Sequence, residues 1–375
     1  MAGKVSRVLV VDDSALMRTL ITDQLADAPG IEVCGQASDG YQALQMVKQL
    51  RPDVVTLDVQ MPGMDGLETL DRILVERPLP VIMVSAMTQL GGDITLDALE
   101  RGAFDYVAKP TGLTQAETVM RDDLVRKIRT VAGADFAKVL ESRRQRAALR
   151  RQRRAQPKQT PAASLKPKEK LTVGTMECRC IAIGISTGGP PALTSLFETL
   201  PAGLPPIVIV QHMPEQFTKA FASRLNSISQ VQVKEAATGD VLTDGCAYIA
   251  PGGKHLQVLR STRSQSRLEV FDDAPVSGHR PSVDVMMRSA AKVFGETCLG
   301  VVMTGMGRDG SGGCQAIRAA GGFVLGQDEA SSDIYGMNRV AFQEGNVDKQ
   351  FSLQNAAQVI VREAKRLRAV QAAVS

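Results

Sequence analysis

Arg7-Val-Leu-Val-Val-Asp-Asp13 is a short apolar run that stops abruptly on two aspartates. Consecutive β-branched and leucine residues with no polar alternation suit a strand buried on both faces of a parallel sheet. Ser14 follows as a helix N-cap, and an amphipathic stretch comes after it. The same unit then repeats outward from this point. Ile31-Glu-Val-Cys-Gly-Gln36, Asp53-Val-Val-Thr-Leu57, Leu79-Pro-Val-Ile-Met-Val84 and Phe104-Asp-Tyr-Val-Ala108 are each separated by helical patterns, and Gly102 closes the helix before Phe104. Five strand–helix units predict a five-stranded, doubly wound parallel sheet over residues 1–130. The last helix begins near Gln115 and runs toward an arginine-rich segment.

A second α/β pattern begins at Cys178. Cys180-Ile-Ala-Ile-Gly-Ile185 meets a Ser-Thr-Gly-Gly turn and a helix from Pro190 to Leu200, and Pro206-Ile-Val-Ile-Val210 ends in Gln211-His212. Residues 231–271 read as short strands and turns, a β-rich insert. A helix from Ser282 to Phe294, a strand from Cys298 to Thr304, a glycine-rich turn and a helix from Ser311 to Ala320 then resume the alternation. Residues 177–375 are therefore a second doubly wound α/β domain. From Ala147 to Val173 the composition turns to Arg, Gln, Pro, Lys and Ala and the apolar period disappears, which makes residues 131–176 a basic, low-complexity linker.

The chain has 375 residues, which at roughly 150 residues per domain agrees with two domains and a connector. Hydrophobic residues make up 44% and charged residues 22%, values that exclude collagen, coiled coil and a wholly disordered chain. No apolar run approaches the roughly 20 residues that cross a bilayer, and the N-terminus lacks a signal-peptide pattern. A cytoplasmic location and no membrane insertion are expected. Six cysteines without a C-x-x-C pair read as buried reduced thiols. Residues 138–170 hold twelve Lys and Arg against Glu141 and Glu169. The tract has no aromatic residue to stack on bases, so it reads as a solvated connector and not as a nucleic-acid site.

In an open parallel sheet, ligands collect beyond the C-terminal strand ends. The first sheet places Asp12 and Asp13, Asp58, Ser85 and Lys109-Pro110 at such ends. Three converging carboxylates repel one another unless a hard divalent cation such as Mg²⁺ neutralises them. A lysine and a hydroxyl opposite them suit a phosphoryl group, and Asp58 is the carboxylate best placed to accept it. The plainer reading makes each acid a helix cap or strand terminus, but all of them fall at the matching end. Residues 5 to about 130 resemble the receiver domain of two-component response regulators, including Asp58-Val-Gln-Met-Pro-Gly-Met-Asp-Gly66 and Tyr106-Val-Ala-Lys-Pro110. The resemblance implies that Asp12, Asp13 and Asp58 bind Mg²⁺ and that Asp58 is phosphorylated. It further implies that Ser85 and Lys109 sense the phosphate and that Tyr106 is a switch aromatic, against the plainer reading of a half-buried strand residue.

In the second half, Gly184-Ile-Ser-Thr-Gly188 fits G-x-S-x-G on a strand-to-helix turn. A serine needs a base, and the chain has three histidines. His212 ends the next strand and is the best candidate; His255 and His279 read as surface residues. Asp309, just past a strand, can orient the imidazole. The order Ser, His, Asp differs from that of α/β-hydrolases, and Gly184, Gly188 and Gly189 also permit a phosphate-binding turn at a helix start. The whole chain resembles the chemotaxis protein-glutamate methylesterases, the CheB family, through Gly-Ile-Ser-Thr-Gly-Gly-Pro, Gln-His-Met-Pro, Ala-Pro-Gly-Gly-Lys-His, Arg-Pro-Ser-Val-Asp and Thr-Gly-Met-Gly-x-Asp-Gly. That resemblance implies Ser186 as nucleophile, His212 as general base, Asp309 as orienting acid, Thr187 beside the serine, and the backbone N–H of Met306 as oxyanion donor. It implies no cofactor in the esterase site, methyl-accepting chemotaxis receptors as substrate, glutamine deamidation as a second reaction, and a chemotaxis histidine kinase as phosphodonor. Arg308 stands where the family pattern leads one to expect Asn, and Asn338 where it leads one to expect Pro. The competing function is a response regulator with a non-catalytic output that binds protein or DNA.

Overall fold

The computed structural model describes residues 5–86, 89–110, 115–132, 134–155, 180–262 and 265–372. The N-terminal half runs β1 (Ser6–Val11), α1 (Ala15–Ala26), β2 (Ile31–Ala37), α2 (Gly40–Leu50), β3 (Val54–Asp58), α3 (Gly66–Glu76), β4 (Val81–Ser85), α4 (Gln89–Arg101), β5 (Asp105–Ala108) and α5 (Gln115–Ala132). Its five strands pair in the order β2-β1-β3-β4-β5, all parallel. β1, β3 and β4 are almost wholly buried because helices cover both faces, which is why their sequences lack alternation. Ser14 caps α1 by accepting the Met17 N–H. Strand β4 begins at Val81 and not at Leu79: Pro80 has no N–H for the ladder, although its carbonyl still accepts from Val55.

α6 (Phe136–Ala155) leads out of this half. The C-terminal half then runs β6 (Cys180–Ile185), α7 (Gly189–Phe197), β7 (Ile207–Gln211), α8 (Glu215–Ile228), β8 (Gln232–Glu235), β9 (Cys246–Ile249), β10 (His255–Arg260), β11 (Ser266–Phe271), α9 (Val283–Phe294), β12 (Cys298–Val302), α10 (Ser311–Ala319), β13 (Phe323–Gln327), α11 (Met337–Gln343), β14 (Lys349–Phe351) and α12 (Ala356–Ala372). Seven parallel strands pair as β14-β13-β12-β6-β7-β9-β8. Of the β-rich insert, β8 and β9 extend this sheet, while β10 and β11 form a separate antiparallel hairpin. Alternate residues of β6 and β7 serve opposite layers. Ile181, Ile183, Ile207 and Ile209 face one core cluster, and Cys180, Ala182, Val208 and Val210 face the other. Among the described residues no helix is long and apolar enough to cross a membrane.

The expectation of a solvated connector is corrected for its first part. Phe136, Val139, Leu140, Arg143 and Arg146 fall at helical spacing on α6, and all are buried. Arg143 Nε and Arg146 Nη2 grip the two oxygens of Asp333 at 2.8 and 2.9 Å, and Arg143 also donates to the Ala103 carbonyl at 2.6 Å. The arginines thus continue an apolar stripe because a carboxylate and carbonyls meet their charge. The remainder of the connector, through residue 176, lies outside the described residues, as does Cys178. Cys180, Cys298 and Cys314 are buried free thiols as expected, while Cys34 and Cys246 are half-buried.

Candidate active site

β6 ends at Ile185, and the chain turns through Ser186 and Thr187 into α7. The turn is tight because Gly188 adopts φ +79°, a left-handed conformation that favours glycine, and because a Cβ on Gly189 would lie 1.8 Å from Gln211 Oε1. Ser186 is buried, and its N–H donates to the Thr304 carbonyl at 3.0 Å. One strand over, β7 delivers His212. Its Nδ1 lies 3.1 Å from Ser186 Oγ, and its Nε2 lies 2.9 Å from Asp309 Oδ2. With the proton on Nε2, the Nδ1 lone pair faces the serine hydroxyl, as a general base requires. The ring is turned relative to serine proteases of the chymotrypsin type, where Nε2 meets the serine.

Asp309 sits in the loop after β12, at the start of α9. Its Oδ1 accepts from Ser282 Oγ at 2.8 Å and Asp284 N at 3.0 Å, and its Oδ2 from Val283 N at 2.8 Å. Burial alone would raise its pKa. The His212 hydrogen bond and charge, with the Asp284 and Val283 N–H groups, outweigh burial and hold the carboxyl below its ordinary value. Asp309 is therefore an ionised, fixed acceptor for His212. Gln211 is a residue that sequence reasoning passed over: its Nε2 donates to the carbonyls of Ser186 at 3.1 Å and His212 at 3.0 Å, so one amide ties the serine to the base. A buried Gln beside the candidate base was the available signal.

Of the two remaining histidines, read from sequence as surface residues, His255 is buried and His279 is half-buried. His255 is 1% exposed, because both its ring nitrogens find backbone partners. His279 stacks on His212 with ring centroids 3.8 Å apart and planes 8° from parallel. Met306 lies in the β12–α10 loop, with its sulfur against Thr130 Oγ1 of α5. Arg308 turns to Glu344 at 2.9 Å and away from the triad. Asn338 is buried and donates to the Gln327 carbonyl at 2.8 Å and Ser332 Oγ at 2.7 Å.

In the N-terminal half, carboxylate oxygens of Asp12, Asp13 and Asp58 lie within 4.8 Å of one another. Lys109 Nζ reaches Asp12 at 2.8 Å and Asp58 at 2.9 Å. A cavity of about 310 Å³ is lined by Asp13, Asp58, Ser85 and Lys109 among others. One ammonium against three acids leaves negative charge over, so this all-oxygen donor set fits a hard divalent cation. Burial pushes the Asp58 carboxyl up, and Asp12 adds to that, with Lys109 opposing.

The N-terminal half meets the C-terminal half through β5, α4 and α5. Thr187, next to Ser186, donates from Oγ1 to Asp105 Oδ2 of β5 at 2.9 Å. The adjacent Tyr106 is buried with its ring 4.8 Å from Phe217 of α8. Arg224 of α8 bridges Asp97 at 2.6 Å and Glu100 at 2.9 Å on α4. The residues flanking the serine on both sides of the cleft, Thr187 and Met306, are thus in contact with the N-terminal half.

Residues 8–121 match the response regulator receiver domain, and residues 181–360 match the CheB methylesterase family. A protein-glutamate methylesterase/protein-glutamine glutaminase 1 of Caulobacter vibrioides is 46% identical over 95% of this chain and 97% of its own length. A protein-glutamate methylesterase/protein-glutamine glutaminase of Syntrophotalea carbinolica is 45% identical over 95% of this chain and 96% of its own. The crystal structure of the Thermotoga maritima CheB methylesterase catalytic domain aligns at 33% identity and TM-score 0.48, covering 50% of this chain and 99% of that domain. With both halves matched in order and relatives matched end to end, the chain belongs to the CheB methylesterase family, with a response-regulator receiver domain preceding the methylesterase domain.

Proposed function

We propose that the chain is a phosphorylation-gated protein-glutamate methylesterase. It hydrolyses glutamyl methyl esters on methyl-accepting chemotaxis receptors, and it deamidates receptor glutamines through the same intermediate. The observation that carries this reading is the contact chain Ser186 Oγ, His212 and Asp309 at 3.1 and 2.9 Å. His212 Nδ1 takes the serine proton as Oγ attacks the ester carbonyl, and the Met306 backbone N–H and the turn at Thr187, Gly188 and Gly189 receive the developing oxyanion. The C–O bond to methoxide breaks, and His212 returns the proton to give methanol. Water, deprotonated by His212, then attacks the acyl-serine to release glutamate and restore Ser186. For a glutamine the leaving group is ammonia. No cofactor is needed in this half.

In the receiver half, Asp58 accepts a phosphoryl group from a chemotaxis histidine kinase, with Ser85 and Lys109 taking its oxygens. Mg²⁺ held by Asp12, Asp13 and Asp58 supplies charge neutralisation to the incoming phosphate when bound. The Thr187–Asp105 and Thr130–Met306 contacts support a closed resting state in which the receiver bars the cleft. Phosphorylation raises activity by favouring an arrangement that frees these residues, with Tyr106 moving between states. The enzyme works in the cytoplasm. A purely binding output leaves the Ser186–His212–Asp309 geometry unused. The test is methanol release from methylated receptor membranes with Mg²⁺ and a small phosphodonor. Wild type releases methanol and Ser186→Ala does not; equal release by both variants overturns the assignment of Ser186.

A further inference from the structure

All three histidines of the chain meet in one assembly. His255 donates from Nε2 to the Ala274 carbonyl at 3.0 Å and accepts the Ser282 N–H on Nδ1 at 3.3 Å. These two bonds pin both ends of the segment between β11 and α9. Within it, Val276 and His279 exchange N–H···O=C bonds of 3.1 and 3.0 Å across a tight turn, with Ser277 at φ 54° and Gly278 at φ 77°. Arg280 adds an ion pair to Asp272 at 2.5 Å. The turn so fixed lays the His279 imidazole flat on that of His212, centroids 3.8 Å apart.

We infer that His279 is a positioning residue for His212, its ring fixing the plane in which His212 meets Ser186 and Asp309. This rests on the esterase reading above. The two hydrogen bonds of His212 leave from nitrogens at opposite edges of its ring, so they hold the edges while permitting rocking about the line between them. A second ring stacked on the face removes that motion. It also presents a π-face to the imidazolium that forms when His212 takes the serine proton. His279 itself stays neutral: burial, then the charges of His212 and Arg126, lower its pKa to about 3, against Asp309 and Asp123. The pair therefore never has to hold two protons' worth of charge at neutral pH.

The test uses the full chain with Mg²⁺ and phosphodonor and two readouts: methanol release, and the rate at which a fluorophosphonate probe labels Ser186. His279→Ala is expected to lower kcat and the labelling rate about tenfold, equivalent to about 1.4 kcal/mol, with KM unchanged. His279→Phe, which keeps a flat ring, is expected to recover both to within about threefold of wild type. An alanine variant as fast as wild type, or a phenylalanine variant as slow as alanine, overturns the inference. Wild type that is labelled but releases no methanol overturns the substrate reading, and labelling of the variants still decides the role of His279. Wild type that is neither labelled nor active overturns both.

Discussion

Asp309 and Asp284 cap each other's neighbourhood: Asp309 Oδ1 accepts the Asp284 N–H at 3.0 Å, and Asp284 Oδ1 accepts the N–H groups of Gly310 at 2.9 Å and Gly313 at 2.7 Å. The Asp309 carboxylate closes the start of α9 and the Asp284 carboxylate the start of α10, so the acid that faces His212 is held by one helix N-terminus and its own loop is tied to the next by Asp284. The two acids nevertheless differ in charge preference. The Asp309 carboxyl lies below its ordinary value, while burial and the neighbouring Asp309 charge raise that of Asp284.

Asp309→Asn should therefore remove a charge that the site uses, and Asp284→Asn one that it carries at a cost. The first variant is expected to lose about 10³–10⁴ in kcat. The second keeps its acceptor oxygen and should stay within about threefold of wild type, with an unchanged or higher Tm at pH 7. Methanol-release kinetics and thermal melts distinguish them; an equal loss of kcat in both would show that the acids act only as caps.

Asp58 is buried and burial raises its pKa, so ionising it costs more in the folded chain than in the unfolded one. The penalty is absent below the unfolded pKa, grows as pH rises toward the folded pKa, and is fully present above it. Asp58→Asn is expected to raise Tm at pH 7 and to lose that advantage near pH 3. The same variant should be deaf to phosphodonor, with methanol release staying at its unphosphorylated level. A Tm gain that does not vary with pH, or a full response to phosphodonor, counts against the account.

Arg224 joins α8 to α4 through Asp97 and Glu100. Arg224→Glu places three acids together at the edge of the interface and should favour the open arrangement. The expected result is about fivefold more methanol release without phosphodonor and little change with it, since a bias toward one state matters least where that state already dominates. Lower activity in both conditions would mean that Arg224 serves the substrate and not the interface.

Asp333 is the shared partner of two buried arginines. Asp333→Ala leaves both without a counter-charge and should cost about 3–5 kcal/mol of stability, measured by urea unfolding. A loss below about 1 kcal/mol would mean that water reaches the arginines readily.

The lowered pKa of His279 makes it an acid-sensitive element, since the unfolded imidazole takes a proton and the folded one resists it. Its contribution is intact above pH 6.5 and drains away as pH falls toward 3. His279→Phe should flatten the decline of Tm across that window relative to wild type. Parallel melting curves would place the sensitivity elsewhere.

Much of the architecture is legible in the sequence because parallel strands advertise themselves as apolar runs and the chemistry sits where those runs stop. Asp12, Asp58 and Lys109 could be read as one pocket, and Ser186 beside His212, from strand ends alone. The features that escaped are those whose partner is distant in the chain. Arg143 and Arg146 look like solvated basic residues until Asp333, 190 positions from Arg143, folds against them. His279 looks like a polar loop residue because nothing local signals that His255 and a tight turn aim it at His212. Pairings between domains, such as Thr187 with Asp105, leave no local periodicity at all.

The grip of α6 on Asp333 and on the Ala103 carbonyl has a further consequence for the proposed reclosing of the cleft. Because the receiver and esterase share one polypeptide and this helix already touches both, re-docking is a unimolecular event at a high effective concentration. Its equilibrium is set by the chain itself and is indifferent to how many copies the cell makes. In the proposed cycle, in which loss of phosphate from Asp58 restores the closed arrangement, each molecule would reset on its own clock, without searching for a partner.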